Sequence, residues 1–332
     1  MKLGILGYFG FGNYGDELFL DIWEDIFSNE TLVGFEEVTG LTKCMHSNEE
    51  ERATFSNSVD AILIGGGDLI RPTGKINYWY QELLAKPVFL YGIGVATWLG
   101  KDPKVVEQIK AFLVHDNCIS VGLRDIESYR WMLSNVPEIK EKLYVTPDIV
   151  FSMQESQAQN FERKTVGIIT RHQKKYEQGR IDQMRLIKDI YQECGFDVVE
   201  ILASTGPEKE WDLEGSKNWN IGCPTLTFDT DQEVTDAIKS CDVIYSMKFH
   251  GCVVGLYHHV PTISLLKTDK FVNLYKFLRL ENWLIGGKAD KVKLEDITNS
   301  RVQLWNNIDT VKEYSKVGLM KLKLDISSHI GE

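Results

Sequence analysis

The sequence predicts an α/β protein of two doubly wound domains facing each other across a cleft. Three observations carry the prediction. Apolar strand-like runs alternate with helix-like stretches along most of the 332 residues. The alternation stops once, at the polar and unpatterned residues 154–164, QESQAQNFERK, and then restarts. Several of the apolar runs also end in glycine-rich or charged turns. Strands separated by helical segments pair in parallel through crossover helices. Such sheets bind ligands at the carboxyl ends of their strands, so an active site in the cleft is expected. The length suffices for two cores.

In order, Lys2–Gly7 reads as a buried strand, followed by a helix over 16–28. That helix carries Leu18, Phe19, Ile22, Trp23, Ile26 and Phe27 in one wide apolar stripe. Strands follow at Ala61–Ile64, Val88–Tyr91, Ile119–Gly122 and Tyr144–Val145. The helix over 103–114 starts at Pro103 with Asp102 as N-cap. After the polar linker come a strand at Val166–Thr170, a helix over 179–193 closed by Gly195, and a strand at Asp197–Leu202. A helix over 231–240, a strand Val243–Tyr245, a helix over 251–258 and a strand Thr262–Leu266 complete the set. The tail over 301–324 is helix-like, with Leu304, Trp305, Ile308 and Val311 on one face. Leu319 and Leu322 join that face if the helix runs through Gly318. The predicted domains are two Rossmann-like bodies, 1–155 and 156–332. The terminal helix could pack back on the first.

Composition narrows the function classes. A net charge of −11 leaves no basic face for nucleic acid. No apolar run is long enough to span a bilayer. MKLGILGYFG runs into glycines without a cleavage site and reads as a strand, not a signal peptide. The six cysteines include no CxxC pair, so free thiols in a reducing compartment and no metal site are expected.

The first strand-to-helix turn contains GxGxxG at Gly10, Gly12 and Gly15. A dinucleotide reading would use Glu36 or Glu37 on the ribose. Against it, Asp16 and Glu17 place carboxylates where a pyrophosphate needs free N–H groups. A capped helix under a tight loop is one alternative. A sugar site is another, with Asn13, Asp16 and Gly12 among its hydroxyl partners. Gly66, Gly67 and Asp68 end one strand and Gly94 ends the next; they read either as packing turns or as cleft lining. Arg124 and Asp125 end a further strand, where Asp125 either caps the next helix or faces the cleft.

The second half presents Arg171, Lys248 and His250 at two strand ends, with Gly251 opening a helix. Cations beside a helix N-terminus suit a phosphate or carboxylate. His258 and His259 lie at the far end of that helix, where they would cap its dipole.

With these residues in hand, the chain resembles the polysaccharide pyruvyl transferase family. The resemblance rests on GFGNYGDE, IGGGDLI, YGIGVA, VGLRDIES, TPDIVFSM, VGIITR and YSMKFHGCVVGLYHHVPTISL, in that order. It implies a GT-B-like fold and transfer of the carboxyethylidene unit of phosphoenolpyruvate onto two hydroxyls of a sugar, with release of phosphate. His250 would be the catalytic histidine, and Arg171, Lys248 and Gly251 would bind the donor. The acceptor would be a glycan or lipid-linked sugar of a capsule or exopolysaccharide. No cofactor is implied. The expected location is cytoplasmic, with peripheral contact at the inner face of the membrane left open, and no oligomeric state is assigned. The family carries arginine where this chain has Lys248, a point charge without the bidentate fork. Three alternatives remain: a sialyltransferase-like GT-B enzyme using a nucleotide sugar, a non-catalytic sugar-binding homologue, and a dehydrogenase.

Overall fold

The computed structural model describes residues 1–41, 43–75, 77–154, 164–286 and 301–330. Of the linker assigned to 154–164, residues 155–163 lie outside these, as does the side chain of Leu304. The chain forms two compact units: Met1–Phe9, Phe19–Ser152 and Glu313–Glu332 make one, and Gly10–Leu18 with Met153–Lys312 make the other. This differs from a single cut after residue 155.

The first unit is built on a parallel sheet of β1 (Lys2–Leu6), β2 (Thr31–Gly34), β3 (Ala61–Gly65), β4 (Val88–Ile93), β5 (Cys118–Leu123) and β6 (Leu143–Val145), in the order β2-β1-β3-β4-β5-β6. The central strands β3 and β4 are buried at every residue, as their unbroken apolar runs require. Helix α1 (Tyr14–Ile26) covers the sheet through its apolar stripe. Phe19 and Trp23 are fully buried and meet edge-on at 6.1 Å, each contributing about 2–3 kcal/mol by burial. After α2 (Phe35–Thr39) and α3 (Glu49–Ser58), helix α4 (Pro103–Leu113) starts as expected, with Asp102 accepting a hydrogen bond from the Lys104 amide at 2.9 Å.

The second unit carries β7 (Thr165–Ile169), β8 (Asp197–Ile201), β9 (Thr225–Leu226), β10 (Val243–Ser246) and β11 (Thr262–Ser264), all parallel, in the order β11-β10-β7-β8-β9. Its helices include α6 (Gln178–Glu193), α7 (Glu208–Trp219), α8 (Asp231–Ser240), α9 (Phe249–Tyr257) and α10 (Asp269–Phe277). The terminal helix α11 (Arg301–Ile330) runs unbroken through Gly318. Within the first unit Gly318 lies so close to Thr146 and Tyr91 that any side chain there would collide. From Glu313 onward α11 belongs to that unit, where Leu319, Leu322 and Ile326 are buried.

Two strands and one helix of consequence escape the sequence pattern. Strand β2 is a half-exposed edge and β9 has two residues, so neither shows an apolar run. Helix α7 lacks an aliphatic stripe: its buried residues are Asp212, Gly215 and Trp219.

Candidate functional site

The glycine loop lies in the second unit, not with the first-unit residues it precedes in sequence. Backbone pairing explains this. The Thr205 amide donates to Gly12 O at 2.9 Å, the Glu208 amide to Phe11 O at 2.9 Å, and Asn13 forms an antiparallel bridge with Ser204. Gly12 has φ +75°, and a Cβ there would meet the Gly206 and Thr205 backbone at 2.5–2.7 Å, so no other residue fits. Tyr14 Oη shares a hydrogen bond with Thr235 Oγ1 at 2.7 Å. The amides of Gly10, Phe11 and Gly12 all donate to the Glu17 carboxylate, at 3.2, 3.0 and 2.9 Å. An internal anion therefore occupies the nest that a pyrophosphate would use, and the dinucleotide reading loses its binding site.

This loop carries Gly15 onto His250. A Cβ built on Gly15 would fall on the imidazole itself, against Nδ1 and Cγ. His250 occupies the first turn of α9, which no side chain caps. Gly251 lets that turn settle on β7 and β10: a Cβ there would reach Ser246 Oγ at 2.6 Å and Ile169 Cδ1 at 2.7 Å. The Met247 amide donates to Ile169 O at 2.8 Å, so the turns after β7 and β10 are tied side by side.

Arg171 follows β7 and is exposed. Its carbonyl accepts from Trp219 Nε1 at 2.8 Å, and the next amide, of His172, donates to Asp212 Oδ1 at 3.1 Å. Lys248, expected as a free cation for the donor, is instead ion-paired with buried Asp212 and donates to Ala203 O at 2.8 Å. Ser204 Oγ donates to the other Asp212 oxygen at 2.7 Å.

The remaining expected residues lie in the first unit and hold one another. Asp68 forms an ion pair with buried Arg124. Burial works against the Arg124 charge, yet the carboxylates of Asp68, Asp148 and Asp125 hold its pKa above the usual guanidinium value. Asp125 is the N-cap of α5 (Ile126–Asn135), accepting from the Ser128 amide at 2.8 Å and its Oγ at 3.0 Å. Gly94 leaves room for the Asp68 and Arg124 side chains, and its amide donates to Gly67 O at 2.9 Å. Gly66 has φ +88°, a left-handed conformation that favours glycine. These turns therefore have a packing explanation. Gly12, Asn13 and Asp16, grouped with them in the 1–155 domain, belong to the unit of His250.

His258 does not cap α9 with a charge. Burial, then Lys239, Lys312 and His259, push its pKa down to about 3. His259 reaches Asp309 at 2.9 Å. The residues that sequence reasoning missed are Asp212, Ser204 and Trp219. They sit on or against α7, where polar anchoring replaces the apolar periodicity that would have exposed it. Among the described residues, no group of three His, Cys, Asp or Glu side chains could hold a metal ion, all six cysteines are free, and no helix is long and apolar enough to cross a membrane.

A family model described as polysaccharide pyruvyl transferase matches residues 13–266. No curated protein sequence matches the chain. Similar solved structures include the S. aureus MnaA–UDP complex (TM-score 0.62, 9% identity, covering 98% of this chain and 96% of that one). UDP-GlcNAc 2-epimerase from Neisseria meningitidis bound to UDP-GlcNAc is comparable (0.58, 12%, 97% and 99%). So is Anabaena Alr3699/HepE in complex with UDP-glucose (0.58, 12%, 99% and 100%). At these identities the likeness shows a shared two-domain, Rossmann-like α/β fold of the GT-B type and nothing finer.

Proposed function

Because the chain belongs to the polysaccharide pyruvyl transferase family, we propose that it moves the carboxyethylidene group of phosphoenolpyruvate onto two hydroxyls of one sugar, and that His250 moves the protons. The observation that carries this reading is the placement of His250: its imidazole is fixed against Gly15 at the uncapped start of α9, one strand away from exposed Arg171. An uncapped helix start and a guanidinium both favour an anion. Phosphoenolpyruvate offers a phosphate and a carboxylate.

The chemistry suits these groups. A proton delivered to the enol methylene makes it a methyl group and leaves an oxocarbenium-like centre at C2. A sugar hydroxyl adds there and gives up its proton. The C2–O bond to phosphate then breaks, and a second hydroxyl closes the ketal. One hydroxyl proton balances the new methyl hydrogen and the other leaves with phosphate. An imidazole can give and take protons near neutral pH, while Arg171 stabilises the leaving phosphate. The acceptor is a sugar of a cell-surface polysaccharide or its lipid-linked precursor, the reaction takes place in the cytoplasm, and no cofactor takes part.

A second reading, a nucleotide-sugar transferase, draws on the UDP and UDP-sugars bound in the structures of similar fold. Thermal unfolding with phosphoenolpyruvate, UDP and CMP in parallel separates the two. A ligand at about a hundred times its dissociation constant adds roughly 2.7 kcal/mol of stability. Stabilisation by phosphoenolpyruvate, with phosphate release when a suitable glycan is added, is the expected result. Stabilisation by UDP or CMP alone refutes it.

A further inference from the structure

Building on the reading of phosphoenolpyruvate as donor, we propose that Lys248 is the internal counter-ion of Asp212 rather than a donor ligand, and that this largely buried pair is a positioning device. It leaves Arg171, Lys174 and Lys175 to meet the anion.

Asp212 is 4% exposed and gathers three strand-end segments. It accepts from the His172 amide after β7, from Ser204 Oγ after β8 and from the Lys248 ammonium after β10. The ammonium also donates to Ala203 O at 2.8 Å, so Lys248 ties the start of α9 to the segment after β8. That segment holds the glycine loop through Ser204, Thr205 and Gly206, and the loop returns through Gly15 to His250. The contacts thus close a circuit that includes His250, with the Asp212–Lys248 pair as one link. An ammonium in contact with a carboxylate offers an approaching anion almost no net charge. Removing either partner alone strands a buried charge.

The turn after β7 is built the opposite way, with a fixed backbone and free heads. Trp219 Nε1 holds Arg171 O at 2.8 Å, Gly215 lets α7 press on the His172 backbone, and Tyr176 meets the Trp219 ring edge-on at 4.6 Å. Arg171, Lys174 and Lys175 are all exposed, and their side chains have no partner among the described residues.

The test compares Lys248→Met, Asp212→Asn, the double variant and Arg171→Met in the full chain, by thermal unfolding and by calorimetric binding of phosphoenolpyruvate. Each single variant of the pair should lose on the order of 10 °C in Tm, and the double should recover most of it. The double should bind phosphoenolpyruvate within about threefold of wild type, while Arg171→Met should weaken it about tenfold or more. A folded double variant that loses tenfold or more makes Lys248 a ligand and overturns the proposal. So does a double no more stable than the singles, or an Arg171→Met variant that binds normally. If the wild-type chain does not bind phosphoenolpyruvate at all, the proposed function fails. The unfolding comparison then still decides the pair: recovery in the double supports it and no recovery overturns it.

Discussion

Gly15 and His250, 235 positions apart in the chain, touch so closely that a methyl group on the first would occupy the ring of the second. Gly15 lies within α1, where alanine is intrinsically favoured over glycine. Gly15→Ala should therefore act through the imidazole rather than the helix. Displacing a catalytic group by about an ångström costs roughly a hundredfold, and His250→Ala should cost about 10²–10⁴. Combining the two should cost no more than His250→Ala alone, because the collision is gone. Steady-state transfer rates on the three variants test this, and additive losses would sever Gly15 from the histidine.

Glu17 accepts three amides of the glycine loop. Glu17→Ala leaves those donors to water and should lower stability by about 1.5–3 kcal/mol, whereas Glu17→Gln, which keeps one acceptor oxygen, should lose less. Denaturant unfolding distinguishes them. Equal losses would mean that the carboxylate is not what holds the loop.

Acid should destabilise the second unit through His258. Its folded pKa lies near 3, against 6.5 ordinarily, because burial and nearby cations disfavour its charge. Above pH 6.5 both states are neutral and the contribution is complete. As pH falls towards 3 only the unfolded chain takes up the proton, so stability drops by about 1.4 kcal/mol per pH unit. Between pH 7.5 and 4.5 the wild-type chain should lose about 2 kcal/mol more than His258→Gln. Parallel pH profiles of the two proteins would show no such difference if His258 is charged when folded.

On the proposal that Arg171 supplies the charge that the donor needs, transfer should survive dialysis against EDTA. Restoration by Mg²⁺ of an activity lost to EDTA would reverse this and turn attention to Asp16, Asp68 and Asp148.

Most of the strands, their parallel pairing and the residues at strand ends were legible because buried strands and amphipathic helices write their burial into apolar spacing. Trp23 and Phe19 announced α1 in this way. Asp212 announced nothing: a polar residue in a helix without an apolar stripe looks like surface. Lys248 misled for the same reason, since its partner lies 36 positions earlier on an element the pattern does not reveal. The turns at Gly66, Gly67 and Gly94 looked like cleft lining because a glycine reports a close approach without reporting by what. The sequence already set Asp16 and Glu17 against a phosphate in the GxGxxG loop, but not that Glu17 folds back onto the loop's own amides, because a side chain's reach is not written in spacing.

Neither unit is a continuous stretch of chain, since Gly10–Leu18 complete the second and Glu313–Glu332 complete the first. On the ribosome the glycine loop emerges early and waits for partners roughly 190–235 codons downstream. At about 5–20 residues per second that delay is roughly 10–50 s. The first unit likewise lacks its closing helix until residues 313–332 have been made. Neither half can mature ahead of the other, and a gene cut at the linker would yield two incomplete fragments instead of two modules.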